Sequence, residues 1–259
     1  MLKIKEFFSI LDDVAPLSLS HKMVEKGAYD NSGIIVNVTG EVNAVLFSLD
    51  LSVKVVNKAI KQGCDTIVTH HPAIYSPIKS LDLDGETAGL VLAVKNGINV
   101  ISMHLNLDIA SCGIDQSLAE SLDARNVKIL DLVDEEHGYG REFKCYHTVE
   151  ELKELLEKKL STDKILIYGS GKVKKVASFC GAGGGEVLSA LKNKLTDADL
   201  IVTSDAPHHV IKEILENGKK LMLIPHYSAE NYGFERFFNT VKNALDGIKA
   251  YYFVDKRFM

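Results

Sequence analysis

Several features that would each name a function are missing from this sequence. Its 259 residues include only four cysteines, Cys64, Cys112, Cys145 and Cys180, and no two of them form a CxxC pair. A zinc ribbon or a redox dithiol is therefore not expected, and the thiols read as free and mostly buried in a reducing compartment. No apolar run is long enough to span a bilayer. Lys3, Lys5, Glu6, Asp12 and Asp13 interrupt the opening segment where a secretory signal would be continuously apolar. A cytoplasmic protein with no membrane partner is expected. An excess of positive charge is also lacking, since the formal net charge is -5 and the pI is near 6.0. The whole molecule thus has no attraction for phosphate backbones, and nucleic acid is not the expected partner. The glycine run Gly181-Ala182-Gly183-Gly184-Gly185 matches neither a P-loop nor a GxGxxG fingerprint. It suits an anion cradle at a helix start or a tight strand-to-helix turn equally well.

What is present is the balance of a packed globular protein, with 46% hydrophobic and 25% charged residues. Ile4, Phe7, Phe8 and Leu11 share one helical face, so the chain opens with an amphipathic helix. The run Ala44 to Leu49 then reads as a strand, Ser52 as a helix cap, and Gly63 as the stop of a helix ending near Gln62. Ile67 to Thr69 forms a strand, Glu86 to Lys95 a helix and Ile98 to Met103 another strand. The rhythm returns after a helical stretch from Glu150 to Lys159, with strands at Val176 to Cys180, Leu200 to Thr203 and Leu221 to Ile224. Helices fall between them at Glu186 to Lys194 and Val210 to Glu216. This βαβ alternation defines an α/β fold with largely parallel sheets. Asp65-Thr66-Ile67-Val68-Thr69 is echoed by Asp199-Leu200-Ile201-Val202-Thr203, and Asn96-Gly97 by Asn217-Gly218. Two similar α/β units are expected, residues 1–125 and 126–259, with a metal site between them and an exposed connection across residues 125–146.

Ligands of open parallel sheets collect beyond the carboxyl ends of the strands. The polar residues of this chain follow that rule: His70 and His71 come after one predicted strand, His104 and Asp108 after the next, Asp205 after a third, and His226 with Glu230 after a fourth. Neighbouring histidines on extended backbone point to opposite sides, so His70 and His71 suit two ions side by side. His226 and Glu230 are four positions apart and share a face if a helix begins there, and Glu230 is long enough to bridge two metals. Asp108 adds a compact anion. Three imidazoles and two carboxylates suit a pair of divalent ions about 3.5 to 4 Å apart, with positions left for water. His104 reads as a ligand, an acid/base group or an orienter of Asp108. His208 and His209 suit the surface, a cavity rim or proton transfer. His21, His137 and His147 have no partner in sequence and read as ordinary surface or core histidines. Asp30-Asn31-Ser32-Gly33 reads as a turn.

These residues resemble a known family, the dinuclear-metal-centre hexameric proteins that go by the name GTP cyclohydrolase I type 2 homologues, or interacting-factor-three-like proteins. The likeness runs through Tyr29-Asp30-Asn31-Ser32-Gly33, Thr69-His70-His71-Pro72, His104-Leu105-Asn106-Leu107-Asp108, Gly138-Tyr139-Gly140-Arg141, the glycine run, and His226-Tyr227-Ser228-Ala229-Glu230. It implies that His70 and His226 hold one metal, His71 and Asp108 the other, and that Glu230 bridges both. It also implies a toroidal homohexamer with its metals facing an inner chamber. Leu105 stands where a Thr is usual and Pro225 where a Gly is usual; neither change removes a ligand, and both bear on the pocket. The resulting expectation is a metal-dependent hydrolase resembling GTP cyclohydrolase I, with metal-activated water as nucleophile, His104 and Glu230 as candidate catalytic groups, and a small-molecule substrate such as a nucleotide. A non-catalytic metal-binding regulatory, storage or delivery hexamer is the competing expectation. Imidazole with carboxylate suits Zn, Fe, Mn, Co or Ni alike.

Overall fold

In the computed structural model, which describes residues Met1–Met259, the chain begins with β1 (Leu2–Lys3), α1 (Ile4–Val14), α2 (Leu17–Glu25), β2 (Gly33–Val36) and β3 (Glu41–Val42). It continues through β4 (Ala44–Ser48), α3 (Val53–Gln62), β5 (Thr66–Thr69), α4 (Ala88–Lys95), β6 (Asn99–Ser102), α5 (Leu105–Ile109) and α6 (Ile114–Ser121). Next come β7 (Lys128–Leu132), β8 (Gly138–Lys144), α7 (Val149–Leu160), β9 (Leu166–Tyr168), β10 (Lys175–Ser178) and α8 (Gly184–Lys192). The chain finishes with β11 (Leu200–Thr203), α9 (His208–Glu216), β12 (Lys220–Leu223), α10 (His226–Lys242) and β13 (Lys249–Tyr252).

Two compact units result. The first holds Met1–Leu107 and Phe234–Asp255, the second Asp108–Gly233 and Lys256–Met259. The expected division after residue 125 differs from this on two counts: residues 108–125, with α6 packed on β8 and β10, belong to the second unit, and the end of the chain returns to the first. There β13 pairs in parallel with β4, Lys249 opposite Ala44 and Tyr252 opposite Phe47. The β-prone carboxy-terminal run is thus paired within its own chain.

The sheet of the first unit has the order β13-β4-β5-β6-β2, parallel except for β2. Every residue of β4, β5 and β6 is buried, as a strand covered on both faces requires, which is why their middles are apolar, with Thr66, Thr69, Asn99, Ser102 and Ser48 at the strand ends. Ser52 caps α3 by accepting from the Val55 amide, and Gly63 ends it in the left-handed conformation that glycine adopts without a Cβ clash. Val55, Val56 and Ala59 of α3 pack with Leu46, Ile67 and Val100 of the sheet. Each such buried aliphatic side chain stabilises the unit by about 1.5 to 3 kcal/mol relative to exposure.

The second unit repeats this plan in the order β7-β8-β10-β11-β12-β9, with β10, β11 and β12 parallel. In both units three parallel strands are followed at one side by an antiparallel strand from the preceding chain, β2 beside β6 and β9 beside β12. The expected duplication is therefore present as matching topology. The stretch 125–146 departs from expectation in part: residues 125–137 are mostly exposed, but β7 pairs antiparallel with β8, and β8 is built into the sheet beside β10. Gly138, Gly140, Arg141 and Phe143 are buried there, so the glycines serve close packing; a Cβ on Gly140 would stand 2.7 Å from the Phe179 ring.

Candidate metal centre

In the first unit, β5 delivers His70 and His71 into a bend. Both amides donate to the Leu49 carbonyl, at 3.1 and 3.0 Å, so the backbone is not extended here. The two rings consequently do not point to opposite sides; their centroids are 5.0 Å apart. Thr69 Oγ1 donates to the His71 carbonyl at 2.8 Å and lies 2.9 Å from Ser102 Oγ, which ties the bend to the end of β6. His104, just past β6, brings its ring to 5.3 Å from that of His70 and 6.0 Å from that of His71. Three imidazoles thus gather at the carboxyl ends of two neighbouring strands.

Each of these rings is held through Nδ1. His70 Nδ1 donates to the Met103 carbonyl at 2.8 Å, His71 Nδ1 lies 2.6 Å from Asp50 Oδ1, and His104 Nδ1 lies 2.7 Å from Asp30 Oδ1. Such partners fix the tautomer and aim of the ring, so Nε2 is the nitrogen each presents for coordination or proton transfer. Asp30 also receives the Ser20 hydroxyl and, at 2.6 Å, that of Ser32. Burial alone would raise this carboxyl, but the hydrogen bonds from His104, Ser20 and Ser32 outweigh it and hold it down at about 2. The turn at Asp30 to Gly33 is therefore part of the site as well as a turn, and Asp50 joins it unannounced. Asp50 lies just beyond the carboxyl end of β4, where the strand-end rule would have found it.

In the second unit, α10 begins at His226, and Glu230 follows one turn later on the same face, with Glu230 Oε2 2.8 Å from His226 Nε2. His226 Nδ1 lies 2.7 Å from Asp205 Oδ2, so Asp205 orients this imidazole. Glu230 is buried. It rests against Gly181, whose φ is +59° and where a Cβ would stand 2.5 Å from Glu230 Oε1. Asp108 is buried, and the Cys180 thiol lies 3.5 Å from its Oδ1.

The glycine run serves close packing. A Cβ on Gly183 would meet Thr203 Oγ1 at 2.8 Å, and one on Gly184 the Asp205 carbonyl at 2.9 Å. His208 opens α9, and both it and His209 are exposed. His137 and His147 lie beside Asp134 and Glu151 of their own turn or helix. The cysteines are free, and all but Cys112 are buried. No helix is long and apolar enough to cross a membrane.

Groups that could take part in holding a metal ion are His70, His71 and His104 in the first unit and Asp108 and Glu230 in the second. The donor chemistry fits, because every imidazole has its far nitrogen anchored and the acids are buried acceptors.

The fold and these residues define a duplicated α/β protein whose units carry imidazole and carboxylate groups suited to metal. The chain belongs to the Duf34/NIF3 (NGG1p interacting factor 3) family, whose model matches residues 2–256. A Clostridium perfringens protein named "GTP cyclohydrolase 1 type 2 homolog" is 29% identical over 253 residues, spanning 95% of this chain and 93% of that protein. A Methanocaldococcus jannaschii protein of the same name is 28% identical over 252 residues, with 95% and 97% covered. Among solved structures, a Bacillus cereus protein related to NIF3 superposes with a TM-score of 0.84 at 18% identity, covering 99% of this chain and 98% of that one. Reduced HcgD from Methanocaldococcus jannaschii gives 0.81 at 26% identity, covering 97% of each chain.

Proposed function

We propose that this chain binds two divalent metal ions through His70, His71, Asp108, His226 and Glu230 and uses them in metal-dependent hydrolysis of a small molecule. The observation that carries the reading is the shared second partner. All four imidazoles, His70, His71, His104 and His226, have Nδ1 engaged by a carboxylate or carbonyl. His137 also has a carboxylate on Nδ1, but from Asp134 three positions away in its own turn; the partners of these four come from 33, 21, 74 and 21 positions away, as the orienting partners of metal ligands commonly do.

Divalent ions held there would supply Lewis acidity and lower the pKa of a bound water toward neutrality. The chain's own residues do the rest. Met103, Asp50 and Asp205 fix which nitrogen of His70, His71 and His226 faces the ions. Glu230, kept in place against Gly181, would be the carboxylate shared by the two ions, as the resemblance in sequence implies. His104 is the acid/base group: Asp30 fixes its Nδ1, so Nε2 is the atom that takes or gives the proton. The name shared by the relatives makes nucleotides the first substrates to test, and the resemblance in sequence favours a toroidal homohexamer.

The test combines elemental analysis of gently purified protein with a screen of nucleotides and phosphoesters. About two metals per chain with saturable turnover is the expected result. Tight, exchangeable metal with no turnover would replace the hydrolase reading with a regulatory, storage or delivery role. Absence of metal after reconstitution would defeat both.

A further inference from the structure

Gly138-Tyr139-Gly140-Arg141 is not used by the metal reading, yet it lies behind the carboxylates of the second unit. Arg141 is 1% exposed and Asp115 is 0% exposed. The Arg141 Nη1 donates to Asp115 Oδ2 at 2.9 Å and to the Gly138 carbonyl at 2.8 Å, while Nε donates to Gln116 Oε1 at 3.2 Å. The other oxygen of Asp115 accepts the Cys180 amide at 3.1 Å, and the Tyr139 hydroxyl donates to the Cys180 carbonyl. Both backbone polar groups of Cys180 are thereby fixed by side chains from α6 and β8.

From this fixed point two contacts reach the acids of the centre. The Cys180 thiol lies 3.5 Å from Asp108 Oδ1. The next residue, Gly181, leaves the space that Glu230 Oε1 occupies, since a Cβ there would stand 2.5 Å from it. Two charges withdrawn from water are costly to keep when apolar residues of similar volume can fill the same space. This pair sits where its rigidity is transmitted to Asp108 and Glu230 through one turn.

We propose that Arg141 and Asp115 are positioning residues of the metal centre, holding the Cys180–Gly181 turn so that Asp108 and Glu230 are set for their ions. This rests on the metal reading above. A guanidinium is suited to the task because its planar fork donates to Asp115, Gly138 and Gln116 at once, which an ammonium on a flexible stem does not reproduce.

The test is cobalt(II) binding to the full chain, followed by visible absorption and equilibrium dialysis, with far-UV circular dichroism to confirm folding. Asp115→Asn is expected to weaken cobalt binding by about 10- to 100-fold, the usual effect of removing a partner that orients a ligand. Arg141→Lys should lose less than Arg141→Met. Cys180→Ala should bind more weakly than Cys180→Ser, which restores a donor toward Asp108. A folded Asp115→Asn protein with cobalt affinity within about twofold of wild type would overturn the proposal, because a purely structural ion pair could be removed without that loss. If the Asp115 and Arg141 variants do not fold, Cys180→Ala and Cys180→Ser decide: equal, wild-type binding by both overturns it. Wild-type protein that binds no cobalt overturns the metal reading and this inference together, whereas wild-type binding with unaffected variants removes the inference alone.

Discussion

The imidazole of His104 is fixed by the carboxylate of Asp30, Nδ1 to Oδ1 at 2.7 Å, although the two residues lie 74 positions apart. Asp30 is held at about 2 against an ordinary value of 3.8, so its depressed folded value stabilises the protein wherever it is ionised. The sign follows: the contribution is fully present above about 3.8 and is lost as pH falls through about 2. From that shift it amounts to about 2 kcal/mol. Asp30→Asn is expected to be less stable than wild type at neutral pH, with the difference closing as the pH approaches 2. Urea denaturation across that range measures it; a difference independent of pH would show that the Asp30 charge is not the cause.

Metal content should be about two divalent ions per chain, and binding should weaken as pH falls through the histidine range, near 6.5, because a protonated imidazole cannot coordinate. The double variant His70→Ala, His71→Ala is expected to lose most of that metal. Plasma emission analysis after dialysis against limiting metal gives the answer, and full occupancy in the double variant would refute the ligand assignment.

Glu230→Gln should lose more metal than His104→Ala, since a carboxylate serving both ions contributes to each site while an acid/base group contributes directly to neither. His104→Ala should instead keep metal and lose turnover, by about 100-fold or more for a lost general acid/base. Comparable metal loss in the two variants would make His104 a ligand.

Assembly is expected to be hexameric and independent of metal loading over micromolar concentrations. β13 pairs with β4 and stands at the end of its sheet, so this pairing does not decide assembly, and the expectation rests on the resemblance in sequence. Sedimentation velocity tests it, and a monomer at every concentration would end the hexamer proposal. Turnover of a bulky folded substrate would end the enclosed-chamber proposal even for a hexamer.

The duplication was legible because equal work needs equal residues. Asp65 and Asp199, which open the echoed segments, make the same bonds: each accepts from a backbone amide at the start of the neighbouring strand, Asn43 for one and Lys174 for the other. The backbone amides of Asp65 and Asp199 in turn donate to that strand, to the carbonyls of Ala44 and Lys175. Residues 125–146 were misread because acidic and glycine-rich composition looks alike in a loop and in an edge hairpin. Only pairing with β10 separates the two.

The sequence by itself determined the alternation of β4, α3, β5, α4 and β6 and of β10, α8, β11, α9 and β12, since apolar period and capping residues act locally. It also showed that His70, His71, Asp108, His226 and Glu230, all with metal-binding side chains, follow strand ends. Tertiary structure alone decided how those residues are held. Asp50, Asp30 and Asp205 reach their imidazoles across 21, 74 and 21 positions, and Asp115 reaches the Cys180 amide across 65. It also decided that the last strand returns to β4 and that His70 and His71 bend together when both amides bond to Leu49. A hydrogen bond needs direction and a distance of about 3 Å, and neither is written in the spacing of residues along a chain.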